Sequence, residues 1–166
     1  MKKQKIIYIG RFQPFHLGHL KAIKLLKLIS KDIIIAIGSP HEKGHFTLKE
    51  RKEMIYQNTK VHPIIINDLL PNHKYYNNSG QYILNKVGDI DIVGTGNTFV
   101  RDDFYKLGKH VFYFNRDYGD LCGTKIRQLI KNKDNSWIKL VPRKSIIIIK
   151  NSNFYIKNSV VLGKKM

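Results

Sequence analysis

The chain has 166 residues, one cysteine and a formal net charge of +18 at pH 7. Its length fits one domain, its single cysteine excludes internal disulfides, and its apolar runs are too short for a signal sequence or a membrane span, so we expect a soluble cytoplasmic protein. Lysines are spread from end to end, which favours a general compositional bias over a nucleic-acid-binding stripe, so neither nucleic acid nor membrane is an expected partner.

Short apolar runs alternate with amphipathic stretches along the chain. The runs are typical of strands buried on both faces, and they cover residues 5–9, 33–37, 61–66, 91–93 and 111–114. Repetition of strand, helix and strand requires crossover connections, which predicts an α/β fold with a parallel sheet of about five strands and helices on both faces. Ligands of such sheets bind at the carboxyl ends of the strands.

Helices are predicted between these strands. Apolar residues recur every three positions from Leu20 to Ile29, which indicates one buried helix face. Thr47 and Glu50 have the spacing of a capping box and predict the start of the next helix. Later helices are predicted at 81–86, 98–106 and 124–131. After residue 142 the pattern is less regular: 145–150 fits a helix or a strand, and 151–166 has no convincing period.

The strongest chemical signal is the segment 10–19, G-R-F-Q-P-F-H-L-G-H, where the first predicted strand ends and the first helix begins. A helix N-terminus offers backbone N–H groups to a phosphate, and Gly18 lets phosphate oxygens approach the backbone closely. His16 and His19 are three residues apart, so both imidazoles reach one side of the first turn. A zinc site is less well supported, because H-x-x-H lacks the glutamate and the spacing of H-E-x-x-H.

A second phosphate signal lies at the start of the predicted helix 124–131. Thr124 is placed to cap this helix, and Arg127 lies one turn further on the same side, where its guanidinium suits bidentate contact with phosphate oxygens. An ordinary capped surface helix is the alternative. Gly94, Gly96 and Asn97 follow a predicted buried strand, where they fit a ligand contact, a tight turn with Asn97 as a helix cap, or both.

Segment 10–19 resembles the H-x-G-H nucleotidyltransferases, and within them the archaeal-type nicotinamide-nucleotide adenylyltransferases. Phosphopantetheine adenylyltransferases usually have Thr and Asp where this chain has Arg11 and Gln13. The resemblance spans residues 6–142 and includes F-T-x-x-E-R at 46–51, D-I-V-G-T-G-N at 91–97 and G-T-K-I-R at 123–127. It implies a Rossmann-like fold and a single nucleotidyltransferase domain over residues 1–166, of which 143–166 form a divergent C-terminal extension.

The resemblance also implies a reaction: AMP is transferred from ATP, with Mg²⁺, to nicotinamide mononucleotide by direct in-line attack, giving NAD and pyrophosphate. The catalytic residues that it implies are His16, His19, Arg11 and Arg127. The ATP-binding residues are Gly10, Arg11, Phe12, His16, Gly18, His19, Gly94, Gly96, Asn97, Gly123, Thr124, Lys125 and Arg127. We assign acceptor contacts to Ser39, Lys43, Arg51 and Tyr82. No protein side chain is expected to bind the metal.

Two departures from the family concern the acceptor. The loop 39–47 is shorter than in relatives and lacks an arginine often present there, for which the substitutes are Lys43, His41 or His45. A tryptophan that stacks on the nicotinamide ring in relatives is missing from 74–82, where an aromatic face is offered by Tyr75, Tyr76 or Tyr82. The acceptor therefore stays open among nicotinamide mononucleotide, nicotinate mononucleotide, flavin mononucleotide and phosphopantetheine. A non-enzymatic basic module that binds nucleic acid is the alternative from another class, and a homo-oligomer is left open.

Overall fold

Five parallel strands form one sheet in the computed structural model, which describes residues 4–39, 41, 45–115 and 121–159. The strands are β1 (Ile6–Gly10), β2 (Ile33–Ile37), β3 (Ile64–Ile65), β4 (Ile92–Thr95) and β5 (His110–Tyr113), in the spatial order β3-β2-β1-β4-β5. Tyr8 of β1 is paired with Ile35 on one side and with Gly94 on the other. The predicted parallel α/β sheet is confirmed.

The two edge strands differ from the prediction that every strand is buried on both faces. β3 has only two residues, both partly exposed, and β5 alternates between exposed and half-buried positions. An edge strand has a neighbour on one side only, and the helices that pack on a sheet cover its centre best. An apolar run therefore identifies a strand but does not tell whether it lies at the centre or at an edge.

Seven α-helices and one short 3-10 helix surround the sheet in the described part of the chain. The α-helices are α1 (Leu17–Ile29), α2 (Leu48–Thr59), α3 (Ser79–Val87), α4 (Thr98–Lys106), α5 (Gly123–Lys131), α6 (Arg143–Lys150) and α7 (Asn153–Ser159); the 3-10 helix is Asn135–Leu140. The predicted capping box is confirmed: the Thr47 N–H donates to Glu50 at 2.7 Å, and the Glu50 N–H donates to the Thr47 hydroxyl at 3.2 Å.

Alternate residues of β1 enter two separate cores. Ile6 and Tyr8 pack with α1, α2 and the C-terminal helices, whereas Ile7 and Ile9 pack with α3 and α4. Successive side chains of a strand point to opposite faces of a sheet, so the two cores lie on opposite faces. Helices therefore cover both faces, as expected for a Rossmann-like fold.

Two helices form most of the described part of the chain after residue 142. The run 145–150, whose sequence fits either a helix or a strand, lies in α6, and α7 follows after a two-residue turn. The sequence pattern does not predict α7, because its seven residues contain too few apolar positions for a period to be visible. Tertiary packing stabilises its helical conformation instead. Phe154 is 6% exposed, and the Tyr155 ring lies edge-on to the buried Trp137 ring, with a centroid distance of 5.7 Å.

The carboxyl ends of the central strands meet at one edge of the sheet. Strand order reverses between β1 and β4, since β1 leads outward to β2 and β3 while the chain then returns to β4 on the other side of β1. The Gly38 N–H donates to the Gly10 carbonyl at 3.0 Å, which holds the ends of β1 and β2 together. Such a reversal opens a crevice for ligands.

Among the described helices, none has both the length and the apolar character needed to span a membrane.

Candidate active site

The segment between β1 and α1 is anchored by aromatic rings. Phe12 is 1% exposed and has a positive φ of 55°, and its ring packs on Phe15 at 5.9 Å. The same Phe12 ring lies 4.7 Å from the His19 ring. Phe12 therefore leaves only its backbone for the predicted ATP contact, and its side chain positions the loop.

His16 and His19 form a stacked pair at the start of α1. Their ring centroids are 3.7 Å apart with an interplanar angle of 24°. The backbone N–H of His16 donates to Nδ1 of His19 at 3.3 Å. A nitrogen that accepts a hydrogen bond carries no proton, so in this arrangement neutral His19 has its proton on Nε2. His16 is 7% exposed, so the surrounding side chains hold its ring in place.

Gln13 connects this loop to two other parts of the chain. Its side chain makes two hydrogen bonds to the backbone of Phe46, one to the N–H at 2.9 Å and one to the carbonyl at 3.1 Å. Its own carbonyl accepts a hydrogen bond from Nη1 of Arg127. A Cβ atom at Gly123 would lie 2.5 Å from the same carbonyl oxygen, so only glycine fits there. The N-termini of α1 and α5 therefore flank one loop.

The N-terminus of α5 differs from the prediction in its cap. Cys122 is the N-cap residue, and its Sγ accepts from the Lys125 N–H at 3.4 Å. Thr124 lies inside the first turn, where its hydroxyl accepts from Nη2 of Arg127 at 3.1 Å. The prediction that Thr124 caps the helix is wrong, because the helix begins one residue earlier, at Gly123. The Thr124 hydroxyl and the Arg127 guanidinium are still adjacent, as expected of a phosphate site.

Arg51 lies beneath the strand ends and has no exposed surface. Its Nη1 donates to the carbonyl oxygens of Arg11 at 3.1 Å and Ser39 at 3.2 Å. The predicted acceptor contact would need exposed guanidinium atoms, which this arrangement does not provide. Arg51 instead ties the residues that follow β1 to those that follow β2, so its role in the structure is to position them.

A cavity of about 290 Å³ opens beside Arg11 at the carboxyl ends of β1, β2 and β3. Within the described part of the chain, Arg11 is the one cation and Asp68 the one anion among its lining residues. The Ser39 hydroxyl donates to Asp68 Oδ1 at 3.1 Å. The cavity is lined by Ile9, Gly10, Arg11, Gly38, Ser39, Ile66, Asn67, Asp68, Leu69, Tyr76, Ser79, Tyr82, Ile83, Asn97 and Val100. A larger groove beside α2 contains none of the motif residues.

Two residues at the end of β4 and just after it have different surroundings: Gly94 packs against α1, and Asn97 lines the cavity. A Cβ at Gly94 would lie 2.6 Å from Leu26 and 2.9 Å from Tyr8, so close packing of α1 on the sheet already explains this glycine. The Asn97 side chain caps α4, accepting from the Phe99 N–H at 2.9 Å, and Asn97 also lines the cavity. Both sequence interpretations of Asn97 are thus compatible with its position. ATP contact by Gly94 and Gly96 stays a prediction.

Most of the predicted site residues come together at this edge of the sheet. The two helix N-termini and the loop between them bring together Gly10, Arg11, Phe12, His16, Gly18, His19, Gly123, Thr124, Lys125 and Arg127. Ser39 and Tyr82 line the cavity, and Lys43 lies outside the described residues. Sequence reasoning assigned no role to three residues of this region: Gln13, Asp68 and Cys122. The position of Asp68 shortly after a strand was the available signal for it. Of the three tyrosines predicted to offer an aromatic face, Tyr76 and Tyr82 line the cavity.

Comparison with known proteins gives one family and a consistent set of relatives. The family model described as cytidylyltransferase-like matches residues 7–134. A nicotinamide-nucleotide adenylyltransferase of Thermococcus sibiricus is 33% identical, over 87% of this chain and 82% of its own. One of Methanococcus aeolicus is 34% identical, over 87% of each chain.

Solved structures support the fold. A bifunctional NMN adenylyltransferase/ADP ribose pyrophosphatase of Francisella tularensis, complexed with AMP and Mn ion, superposes with a TM-score of 0.61 at 22% identity. The match covers 95% of this chain and 52% of that one, so this chain spans about half the length of that protein. At this level of identity the similarity is evidence for a common fold.

Proposed function

Since this chain belongs to the cytidylyltransferase-like family and, within it, to the nicotinamide-nucleotide adenylyltransferases, we propose that it joins the AMP part of ATP to nicotinamide mononucleotide. A phosphate oxygen of the mononucleotide forms a bond to the α-phosphorus of ATP. The bond between the α-phosphorus and the bridging oxygen breaks, and pyrophosphate leaves with that electron pair. The products are NAD and pyrophosphate, and no covalent enzyme intermediate is needed.

The main support for this proposal is the position of Gly10 and Arg11, which lie between two parts of the site. On one side lies the phosphate-binding side of the site, which we define as the N-termini of α1 and α5 with His16, His19 and Arg127. On the other side lies the cavity, whose wall includes Gly10 and Arg11. Two substrates bound on these two sides would bring their phosphates together at Arg11. Transfer between phosphates needs this proximity.

The protein's contribution to the chemistry is positioning and charge stabilisation. Nε2 of His19 would donate to a phosphate oxygen, and Arg11 and Arg127 would stabilise the charge that spreads over the α- to γ-phosphates. The nucleophile is already an anionic phosphate, so no general base is required. Direct in-line attack is the mechanism that these roles support.

Mg²⁺ would enter the site bound to ATP, as part of the nucleotide substrate. Within the described residues, no group of three or more His, Cys, Asp or Glu side chains is arranged to hold a metal ion. The phosphate oxygens of ATP would therefore supply most of the ligands to the ion. When bound, the ion would neutralise charge on those oxygens, and Arg11, His19 and Arg127 would hold the phosphates.

The charges of the cavity favour a nicotinamide over a nicotinate acceptor. Asp68 follows β3, two strands from the β1 end that carries Arg11, which is a lateral distance of about 10 Å. A mononucleotide can place its phosphate near Arg11 and its base near Asp68. The carboxamide of nicotinamide can donate to a carboxylate, whereas the carboxylate of nicotinate would be repelled by it. Tyr76 and Tyr82 supply aromatic surface on the same wall.

We also propose that the chain works as a single domain in the cytoplasm. The C-terminal helices α6 and α7 share the first core with α1 and α2, which supports one domain over separate units. The free Cys122 thiol is compatible with a reducing compartment.

The test is a product assay with purified protein, ATP, Mg²⁺ and each candidate acceptor in turn. Dinucleotides are identified by mass, and pyrophosphate is measured by a coupled enzyme. We expect NAD to form fastest. A different dinucleotide would keep the mechanism and change the acceptor. Absence of product with every acceptor, together with steeply salt-dependent binding of duplex or RNA, would instead support the basic nucleic-acid-binding module.

A further inference from the structure

The C-terminal helix α7 contacts the phosphate-binding side of the site through Phe46. The Phe154 ring lies edge-on to the Phe46 ring, with a centroid distance of 5.2 Å and an interplanar angle of 61°, and at 5.6 Å from the ring of His45. Phe154 is 6% exposed and Phe46 is 1% exposed. This contact joins the last described helix to the residues that precede α2.

Phe46 in turn holds the loop that carries His16. Its backbone N–H and carbonyl make the two hydrogen bonds with the Gln13 side chain, at 2.9 Å and 3.1 Å. Gln13 is 5% exposed, and its carbonyl accepts from Arg127. Neither Gln13 nor Phe46 lies in a helix or strand, so these side-chain contacts take the place of regular backbone pairing in fixing the loop.

We propose that α7 is a positioning element of the ATP site: Phe154 fixes Phe46, and Phe46 fixes Gln13 and with it the carbonyl that Arg127 binds. Removing the Phe154 ring opens a cavity beside Phe46, into which the Phe46 ring can move. Gln13 moves with Phe46 because of its two hydrogen bonds, and the Arg127 guanidinium, which binds the Gln13 carbonyl, is displaced. Displacements of about 1 Å near reacting groups cost up to ~10²-fold in rate, so a small movement is enough.

The structure offers a way to separate this role from simple folding stability. α7 has a second attachment, because Tyr155 packs on Trp137, which is the only tryptophan of the chain and is 1% exposed. Trp137 fluorescence therefore reports whether α7 stays docked when Phe154 is changed. Phe104 is 0% exposed and lies in the core on the opposite face of the sheet, so it is a matched control for the loss of a buried ring.

The experiment measures ATP affinity of the full chain by calorimetry in the presence of Mg²⁺, with no acceptor. We expect F154A to weaken ATP binding about tenfold while Trp137 emission stays close to that of the unchanged protein. F154L, which refills part of the cavity, should weaken it about threefold. F104A should lower the Tm and leave ATP affinity within about twofold. F154A and F154L with unchanged ATP affinity would overturn the proposal.

A double variant tests the route through Gln13. Q13M removes both hydrogen bonds to Phe46 but keeps the side-chain volume, and we expect it to weaken ATP binding about tenfold. If both residues act through one contact chain, the double variant Q13M/F154A is no weaker than Q13M within about twofold. Full additivity, about 100-fold, would show two independent effects and overturn the proposed route.

This inference rests on the proposed function only in assuming that ATP binds at the α1 and α5 N-termini. The readout needs no acceptor and no turnover. A protein that binds ATP in the expected variant pattern but forms no dinucleotide would contradict the proposed function alone. A protein that forms NAD but whose ATP affinity does not change when Phe154 is replaced would contradict this inference alone.

Discussion

The proposed phosphate-binding side and the cavity beside Arg11 are constructed in different ways. The groups on the phosphate-binding side are tied down by buried contacts, among them the stacked pair of His16 with His19 and the Gln13 hydrogen bonds to Phe46. The cavity is bordered by the irregular segment 67–78, whose described hydrogen bonds are mostly local turns, and by an exposed bond between Ser39 and Asp68.

Under the proposed function, this difference matches what each side would have to do. Stabilising charge on a triphosphate requires donors that are in place before reaction, since reorganising them during reaction would cost rate. Choosing an acceptor requires contacts that can be altered without disturbing those donors. A site divided in this way can change its acceptor while keeping adenylyl transfer. Three substitutions test whether the two sides are as independent as the structure indicates.

The largest effect is expected from His19, because it belongs to the preorganised side. Replacing His19 by alanine removes the Nε2 donor and should lower turnover by roughly 10²–10³, with a smaller effect on the KM for the acceptor. The measurement is steady-state NAD formation. H62A is the control, since His62 is exposed and stacks on Tyr56 beside α2. Near-normal turnover of H19A would remove His19 from the catalytic assignment.

Gly123 gives the next test, on the same side. A Cβ there would meet the Gln13 carbonyl oxygen at 2.5 Å, so G123A must displace either α5 or the loop. We expect the KM for ATP to rise about tenfold while the KM for the acceptor changes little. G38A is the matched control, because a Cβ at Gly38 meets nothing within 4 Å and faces the acceptor side. If G38A raised the KM for ATP as much as G123A, the two sides would not be independent.

The smallest effect is expected from Asp68 and should appear only as a change of preference. D68N keeps the shape of the side chain and removes its charge, so it should reduce discrimination against nicotinate mononucleotide by about tenfold in kcat/KM. Turnover with ATP and nicotinamide mononucleotide should stay within a few fold. The measurement is competition between the two acceptors with product ratios by mass. An unchanged ratio would mean that Asp68 does not face the base.

Local signals predicted much of the architecture and the location of His16, His19 and Arg127 near the N-termini of two helices. Helix α1 and the capping box at Thr47 and Glu50 follow from spacing along the chain, and segment 10–19 carries its chemistry in consecutive residues. What escaped prediction depends on contacts between distant residues. The Gln13 bond to Phe46 joins positions 33 residues apart, and the buried Arg51 binds carbonyls of two loops.

The remaining errors have the same physical origin. Cys122 caps α5 in place of the expected Thr124, because the exact start of a helix depends on the chain that precedes it. α7 is too short to be helical by local preference, and the packing of Phe154 decides its conformation. The half-exposed state of β5 follows from its place at the sheet edge, which an apolar run does not encode.

The close packing around Gly94 restricts which substitutions this protein can accept during evolution. Leu26 of α1 and Tyr8 of β1 occupy the space that a Cβ there would need, at 2.6 Å and 2.9 Å. A larger residue at 94 must displace the buried side chains of Leu26 and Tyr8, and a shift of α1 that made this room would also move the two histidines at its start. We therefore expect positions 8, 26 and 94 to covary among related sequences, with a smaller residue at 26 accompanying any gain in size at 94. Tyr8 and Leu26, to which we assign no substrate contact, would then vary under selection for catalysis.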